Sequence, residues 1–378
     1  MKFFTDFLSQ NIKNGHVVCG DYCLCERTPL GTLYVLCDGV GSGIYANIAA
    51  IACAERIKEL WLSGFSLRAA AETVASSMHR ARTEEVPFSA FSTAHILPDG
   101  HFAVYSYEVS KPILVQAGEA SIISPRFYTV SYEVMGESLG RLDYGDALLL
   151  TSDGVTQAGM GHGYGFGIGE ETVCKVINRS GIPPSDKLAE SIAAHCKQVS
   201  GKKFEDDTTI AFLYCHEAAE VNLFTGPPSK PALDKDYAAV LQNISGKKII
   251  CGSTTMDIIS RELDLPVETI MPRSGMGSLP EYFIEGVDLA AEGAITLSQV
   301  CNVLDEPVDK LGDNTVVKQI CIMFKEADVI SLHIGKAVND AHENFMFKQI
   351  GVRVRRNVVQ MIAQKLRTMG KLVTERYY

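Results

Sequence analysis

Between Val17 and Cys215 the apolar residues fall in short bursts separated by polar and turn-forming residues. The runs "HVVCGDYCLCER", "TLYVLCD", "FSTAHIL", "HFAVYSYEV", "KPILVQAG", "ASIISP", "DALLLTSDG" and "TTIAFLYC" are mostly β-branched or aromatic and are closed by Gly, Pro or Asp. That pattern predicts strands. Gaps between the middle runs are of hairpin length, as at "LPDGH" over 97–101. Helical spacing interrupts them over Ser42–Trp61, Leu67–Arg82 and about Ser185–Val199, the last opened by "PPSD". There is no strict βαβ alternation. The pattern therefore predicts a mostly antiparallel sheet with helices packed outside.

The rhythm breaks at "HEAAEVNLFTGPPSKPALDKD", where three prolines and a glycine read as a linker. Beyond it, "KKIICGSTTMDIISREL" predicts a strand, a small-residue turn and a helix. Less regular segments follow, and then a helix around Asn357–Met369. The predicted organisation is a domain over 1–218, a linker over 219–236 and a smaller C-terminal α/β domain over 237–378. A chain of 378 residues is long for one core and suits two.

Composition acts mainly by exclusion. A formal net charge of −10 argues against general affinity for nucleic acid or anionic membrane. No apolar run reaches the roughly 18 residues of a membrane span. The N-terminal stretch carries Asp6 where a signal peptide needs an apolar core, so a cytoplasmic protein is expected. Its 11 cysteines then read as reduced thiols rather than a disulfide framework.

Four strand-associated positions carry aspartate: Asp21 within "VVCGDYCLC", Asp38 ending "TLYVLCDG", Asp153 ending "DALLLTSDG" and Asp206 opening "DDTTIAFLYC". A carboxylate beside an apolar strand is costly unless neutralised. Any one of them is explained by a turn or a helix cap. Four together suggest an all-oxygen site for hard divalent cations, Mg²⁺ or Mn²⁺. Two such ions sharing a carboxylate polarise a water toward phosphate esters. Glycine after Asp38 and after Asp153 leaves room for backbone to approach the same ions.

The ordered set "GD…LCDGVGSG…GDALLLTSDG…DDTT" resembles the metal-dependent PPM/PP2C protein phosphatases, in particular their bacterial SpoIIE-like branch, over roughly residues 15–216. "SGFSLRAAAETVASSM" resembles the second helix of that branch. The resemblance implies an α-β-β-α sandwich, two antiparallel sheets flanked by helices, with a binuclear metal site between the sheets. It implies that Asp38 bridges two Mn²⁺ or Mg²⁺ ions with the Gly39 carbonyl as a further ligand. Asp21 would serve one ion, and Asp153 and Asp206 the other. Asp207, where relatives often carry Asn, would stand behind the ligands. Val40 replaces the usual Met of the glycine turn. Val17 stands where eukaryotic relatives place a phosphate-binding arginine, so substrate phosphate would rest mainly on the metals.

The implied function is hydrolysis of phosphoserine or phosphothreonine on a phosphorylated regulatory protein, without a covalent intermediate. Control would come from the C-terminal domain and act on residues 42–82. Two alternatives stand beside it: a catalytically weak ligand-binding signalling protein, and a small-molecule phosphatase.

Other motifs carry less. The glycine-dense "GVTQAGMGHGYGFGIG" reads either as a flap over the site or as a surface loop, and its His162 as a solvated side chain. "HCKQVSGK" mimics a cysteine-phosphatase signature, but Lys202 stands where arginine is needed and Cys196 falls on a helix. Cys19, Cys23 and Cys25 share strand parity with Asp21 and read as a buried apolar face rather than a redox sensor. Gly252, Ser253, Thr254 and Thr255 precede or open a helix. They read equally as an anion site for a small-molecule effector or as an ordinary cap. Arg353, Arg355 and Arg356 read as a solvated basic face ahead of the alternative, a patch for an anionic partner or effector.

Overall fold

The computed structural model describes residues 1–41, 43–83, 86–270, 281–312, 315–337 and 355–378. Ser42 of the glycine turn and Arg353 of the basic stretch lie outside them. The chain divides into two units, Met1–Glu217 and Ala218–Tyr378.

Unit 1 runs β1 (Lys2–Asn11), β2 (Asp21–Thr28), β3 (Gly31–Gly39), α1 (Ile44–Leu62), α2 (Leu67–Thr83), β4 (Ser89–Ile96), β5 (His101–Tyr107), β6 (Ile113–Gln116), β7 (Glu119–Ile122), β8 (Arg126–Val130), β9 (Glu133–Arg141), β10 (Ala147–Thr151), α3 (Asp153–Thr156), α4 (Gly169–Ser180), α5 (Asp186–Val199) and β11 (Thr208–Glu217). One sheet has the order β1-β11-β10-β6-β7 and the other β2-β3-β4-β5-β9-β8. Every strand pairing in both is antiparallel.

Side-chain alternation along each strand sorts the core into three layers. Leu33, Val35 and Cys37 of β3 meet α1 and α2. Tyr34 and Leu36, one residue out of phase, meet Leu148 and Leu150 of β10 and Ala211 and Leu213 of β11 between the sheets. Leu149, Ile210 and Phe212 face α4 and α5. Strands buried on both faces explain why "TLYVLC" and "ALLL" read as continuous apolar runs. The result is the expected α-β-β-α sandwich.

Five elements of unit 1 escape the sequence pattern: β1, β8, β9, the short α3 and α4. β1 is missed because its alternation is blurred by polar residues. It is held by a pairing with β11 that runs unbroken from Lys2↔Glu217 to Asn11↔Thr208. α4 opens within the glycine-dense stretch, at Gly169. That stretch is anchored by Gly159 N donating to Ser200 Oγ at 2.8 Å and Ile168 N to the Ala158 carbonyl at 3.0 Å.

Unit 2 runs β12 (Glu220–Thr225), α6 (Asp234–Asn243), β13 (Lys247–Cys251), α7 (Ser253–Leu263), β14 (Val267–Ile270), β15 (Glu281–Ile284), β16 (Leu289–Ala291), α8 (Ala294–Val303), α9 (Val316–Glu326), β17 (Val329–Ile334), α10 (Arg355–Thr368) and β18 (Leu372–Tyr377). Its sheet has the order β14-β15-β16-β13-β12-β17-β18. The five strands from β16 to β18 are parallel, and β15 and β14 continue the sheet antiparallel. α8, α9 and α10 cover one face and α6 and α7 the other. In chain order the parallel strands lie 3-2-1-4-5, a doubly wound arrangement.

The linker expected over 219–236 is not a linker. It supplies β12, which lies between β13 and β17 in the sheet, and the start of α6 at Asp234. Pro227, Pro228 and Pro231 all follow the strand, so they leave its ladder intact. Judging the window by its prolines hides the apolar "VNLF" ahead of them.

Candidate active site

Asp21 opens β2 and Asp38 lies one residue from the end of β3, and the two are directly opposed in the antiparallel register. Parity fixes the face they occupy. On β3 the even positions Tyr34 and Leu36 point between the sheets, and on β2 the odd positions Cys23 and Cys25 do so. Asp38 and Asp21 continue those rows to one edge of the inter-sheet layer. β10 and β11 bring Ser152, Asp153, Asp206 and Thr209 to the same edge, joined by Ser152 N to the Thr209 carbonyl at 3.0 Å and Thr209 N to Ser152 Oγ at 2.9 Å.

Asp21 is 2% exposed. Its Oδ2 accepts from Thr209 Oγ1 at 2.6 Å, and its Oδ1 has no hydrogen-bond partner among the described residues. Asp38 Oδ2 accepts a long bond from Asp153 N at 3.5 Å. Asp153 begins α3, with its Oδ2 accepting from Gln157 Nε2 at 2.9 Å. Asp206 is the most open of the four. Its Oδ1 accepts from Asp207 N at 3.0 Å and faces Lys13 Nζ at 3.4 Å.

The electrostatics follow from that crowding. Burial pushes the Asp38 carboxyl up to about 9, and the charges of Asp21 and Asp153 add to the shift. Burial likewise pushes Asp21 up to about 7, against the pull of the Thr209 and Ser152 hydroxyls. Asp153 is raised by burial, with Asp206 adding and Lys13 opposing. Among the described residues no three carboxylate, His or Cys groups form a closed metal cage. The charges nonetheless act on one another, because like charges couple over longer distances than a coordination shell spans. An orphaned buried carboxylate oxygen beside opposed carboxylates is an all-oxygen donor set that a hard divalent cation would satisfy.

Two glycines serve packing. A Cβ on Gly39 would lie 2.0 Å from the Ala46 carbonyl oxygen, so glycine lets α1 close against the end of β3. A Cβ on Gly154 would lie 2.1 Å from the Asp207 carbonyl oxygen. Asp207 itself is buried and spends both oxygens on backbone, Oδ1 on Lys13 N at 2.8 Å and Oδ2 on Gly20 N at 2.7 Å. It staples the segment leading into β2 onto the start of β11.

Lys13 was invisible to sequence reasoning, because only the β1–β11 register carries it to the aspartates. Val17 is exposed and offers no phosphate contact. His162 Nε2 pairs with Glu205 Oε1 at 3.0 Å on the surface. Cys196 is buried in α5, and burial pushes its thiol up to about 12, away from the thiolate a cysteine nucleophile needs. Cys23 and Cys25 pack at the inter-sheet core, and burial pushes both up to about 12. A cleft of about 290 Å³ opens beside Asp206, lined by Gly154, Gln157, Met160, Glu205 and Thr208. Gly252–Thr255 lie in unit 2, at the end of β13 and the start of α7. Among the described residues no helix is long and apolar enough to cross a membrane.

The family model of SpoIIE, stage II sporulation protein E, matches residues 29–216. A solved structure of the PP2C phosphatase domain and a regulatory-domain fragment of SpoIIE from Bacillus subtilis is similar at a TM-score of 0.50 and 17% identity. That match covers 57% of this chain and 64% of that one, so this chain spans less than two thirds of its length. The RsbU and RsbW domains of a Mycobacterium tuberculosis protein are similar at 0.46 and 15% identity, over 63% and 67% of the two chains. RsbX in complex with magnesium is similar at 0.41 and 16% identity, over 57% and 100%. No curated protein sequence matches the chain. At 17% identity the SpoIIE structure speaks to fold alone, and the family match is what identifies the domain: residues 29–216 of this chain belong to the SpoIIE family of PP2C-like phosphatases.

Proposed function

We propose that unit 1 is a metal-dependent serine/threonine phosphatase acting on a phosphorylated regulatory protein. Asp21, Asp38, the Gly39 carbonyl, Asp153 and Asp206 would hold two Mn²⁺ or Mg²⁺ ions. When bound, such ions polarise water and neutralise phosphate charge. The observation that carries this reading is the Asp21–Asp38 register pair, with a buried Asp21 oxygen left without a partner. A purely structural pair of carboxylates would have been given donors or a cation.

The chain's own residues do the positioning. Asp207 fixes the entry to β2 and so the place of Asp21. Thr209 orients the Asp21 carboxylate through its Oδ2. Lys13 balances Asp206. The cleft beside Asp206 offers room for the phosphorylated side chain. Unit 2 would be the regulatory part.

The test is turnover of p-nitrophenyl phosphate and a phosphothreonine peptide by chelator-stripped protein, with and without Mn²⁺ or Mg²⁺, beside Asp38→Asn. Metal-dependent turnover that the variant lacks is expected. Turnover retained by Asp38→Asn would sink the assignment. Efficient ligand binding in unit 2 with negligible turnover of either substrate would favour a silent signalling protein instead.

A further inference from the structure

We propose that the carboxyl edge of the unit 2 sheet binds a small molecule carrying an oxyanion, either a phosphate ester or a carboxylate, together with hydrogen-bond donors such as hydroxyls. The site is a cavity of about 300 Å³ where β12, β13 and β16 end, lined among others by Thr225, Ser253, Thr255, Glu292 and Arg355. That volume is at the lower end of the small-molecule range. In open parallel sheets ligands settle outside the carboxyl ends of the strands.

Three independent features belong to residues that line this cavity. The first is an open helix terminus. α7 is preceded by Gly252 at φ +128°, with no side chain capping the helix. An ordinary Ser or Thr cap, the alternative left by the sequence, is therefore not what these residues form. The first bond of the helix is Met256 N to the Gly252 carbonyl at 3.0 Å, so the amides of Ser253, Thr254 and Thr255 precede it. Such amides attract anions.

The second feature is a pair of hydroxyls, those of Thr225 and Thr255. Both residues are 0% exposed, and neither hydroxyl has a hydrogen-bond partner among the described residues. Buried hydroxyls are almost always satisfied, and two lining one cavity point to an absent partner. The third is Arg355. Its guanidinium donates to the Gly335 carbonyl at 3.1 Å and the Ala337 carbonyl at 2.9 Å, and pairs with no carboxylate among the described residues. It packs so closely over Gly226 that a Cβ there would lie 2.3 Å from its Cζ. Burial also lowers its pKa, the strain of a cation lacking a counter-charge. Arg355 is thus not the solvated residue its sequence context suggested.

Glu292, a half-buried residue, lines the same cavity. It would repel a bare polyanion and accept from a hydroxyl or amine, which is why the inferred ligand carries donors as well as the oxyanion.

The experiment uses full-length protein treated with chelator, so that unit 1 metals take up no phosphate. Inorganic phosphate, adenosine monophosphate and acetate are each titrated by calorimetry at millimolar concentration, with thermal unfolding alongside. Saturable binding is expected. Adenosine monophosphate tighter than phosphate identifies a phosphate ester, and acetate tighter than phosphate identifies a carboxylate. Arg355→Gln should weaken binding by about tenfold or more, the worth of a charged hydrogen bond. Thr255→Val should weaken it while leaving the unliganded protein as stable or more stable, since it removes an unpartnered buried hydroxyl. Asp38→Asn should leave it unchanged. No saturable binding of any of the three probes would overturn the proposal, as would binding undiminished in both the Arg355 and Thr255 variants.

Discussion

Asp38→Asn should stabilise the metal-free protein while abolishing turnover, and the gain should grow with pH. In the folded chain burial, Asp21 and Asp153 hold the Asp38 carboxyl near 9, against an ordinary value of 3.8. A raised folded-state pKa contributes stability that is complete below the unfolded value and is lost as pH rises through the folded one. Between these values the folded state carries one proton more than the unfolded state, and each pH unit costs about 1.4 kcal/mol. From about pH 5 to pH 7 the Asp38 contribution therefore falls by up to about 3 kcal/mol. Asparagine carries no such proton and removes that part of the slope, while Asp21, held near 7, keeps its own slope, confined to pH below neutrality. The assay is equilibrium unfolding in chelator across that range, followed by fluorescence. The chain has a single tryptophan, Trp61, in α1, packed edge-on against His95 with ring centroids 5.2 Å apart. Its signal therefore reports unit 1. Added Mn²⁺ should raise wild-type stability most at the alkaline end and leave the variant nearly unchanged. Parallel stability–pH curves for the two proteins in chelator would refute the reasoning.

Two further outcomes follow from neighbouring residues. Asp207→Ala leaves the amides of Lys13 and Gly20 without their acceptor and should cost about 2–4 kcal/mol in the same unfolding assay, with Asp207→Asn costing less. A loss below about 0.5 kcal/mol would show that Asp207 staples nothing. Lys13→Gln removes a positive charge 3.4 Å from Asp206 in a partly exposed pair. It should lower the Mn²⁺ concentration for half-maximal turnover a few-fold, the effect of under about 1 kcal/mol. An unchanged or higher requirement would count against Asp206 as a ligand.

Most of the strands and helices of unit 1 were legible because each burst of apolar residues had a strand's length and its own turn signal; β8 and β9 were not, their runs being broken by polar residues and glycine. The aspartates stood out because a carboxylate ending an apolar strand needs a reason. β1 was not legible, because an edge strand with mixed alternation gains its stability from the pairing with β11. The same pairing makes Lys13 and Asp207 neighbours across the chain, and no local pattern encodes a contact between residues so far apart in sequence. β12 was masked by the prolines behind it, which mark the end of a strand as readily as a linker.

The sequence by itself determined most element types, a mostly antiparallel sheet with helices outside, and the four strand-associated aspartates, since these depend on local periodicity and residue chemistry; the α-β-β-α class was implied by the resemblance of the ordered motifs to a known family. Only the tertiary structure decided which carboxylates face one another. Parity sends Asp21 and Asp38 to the same edge of the inter-sheet layer, and register sets them opposite. Tertiary structure alone also decided that Thr225, Thr255 and Arg355, drawn from three separate segments, share one cavity. Burial and electrostatic coupling depend on distances in space, and a chain sets those only once its sheets have closed.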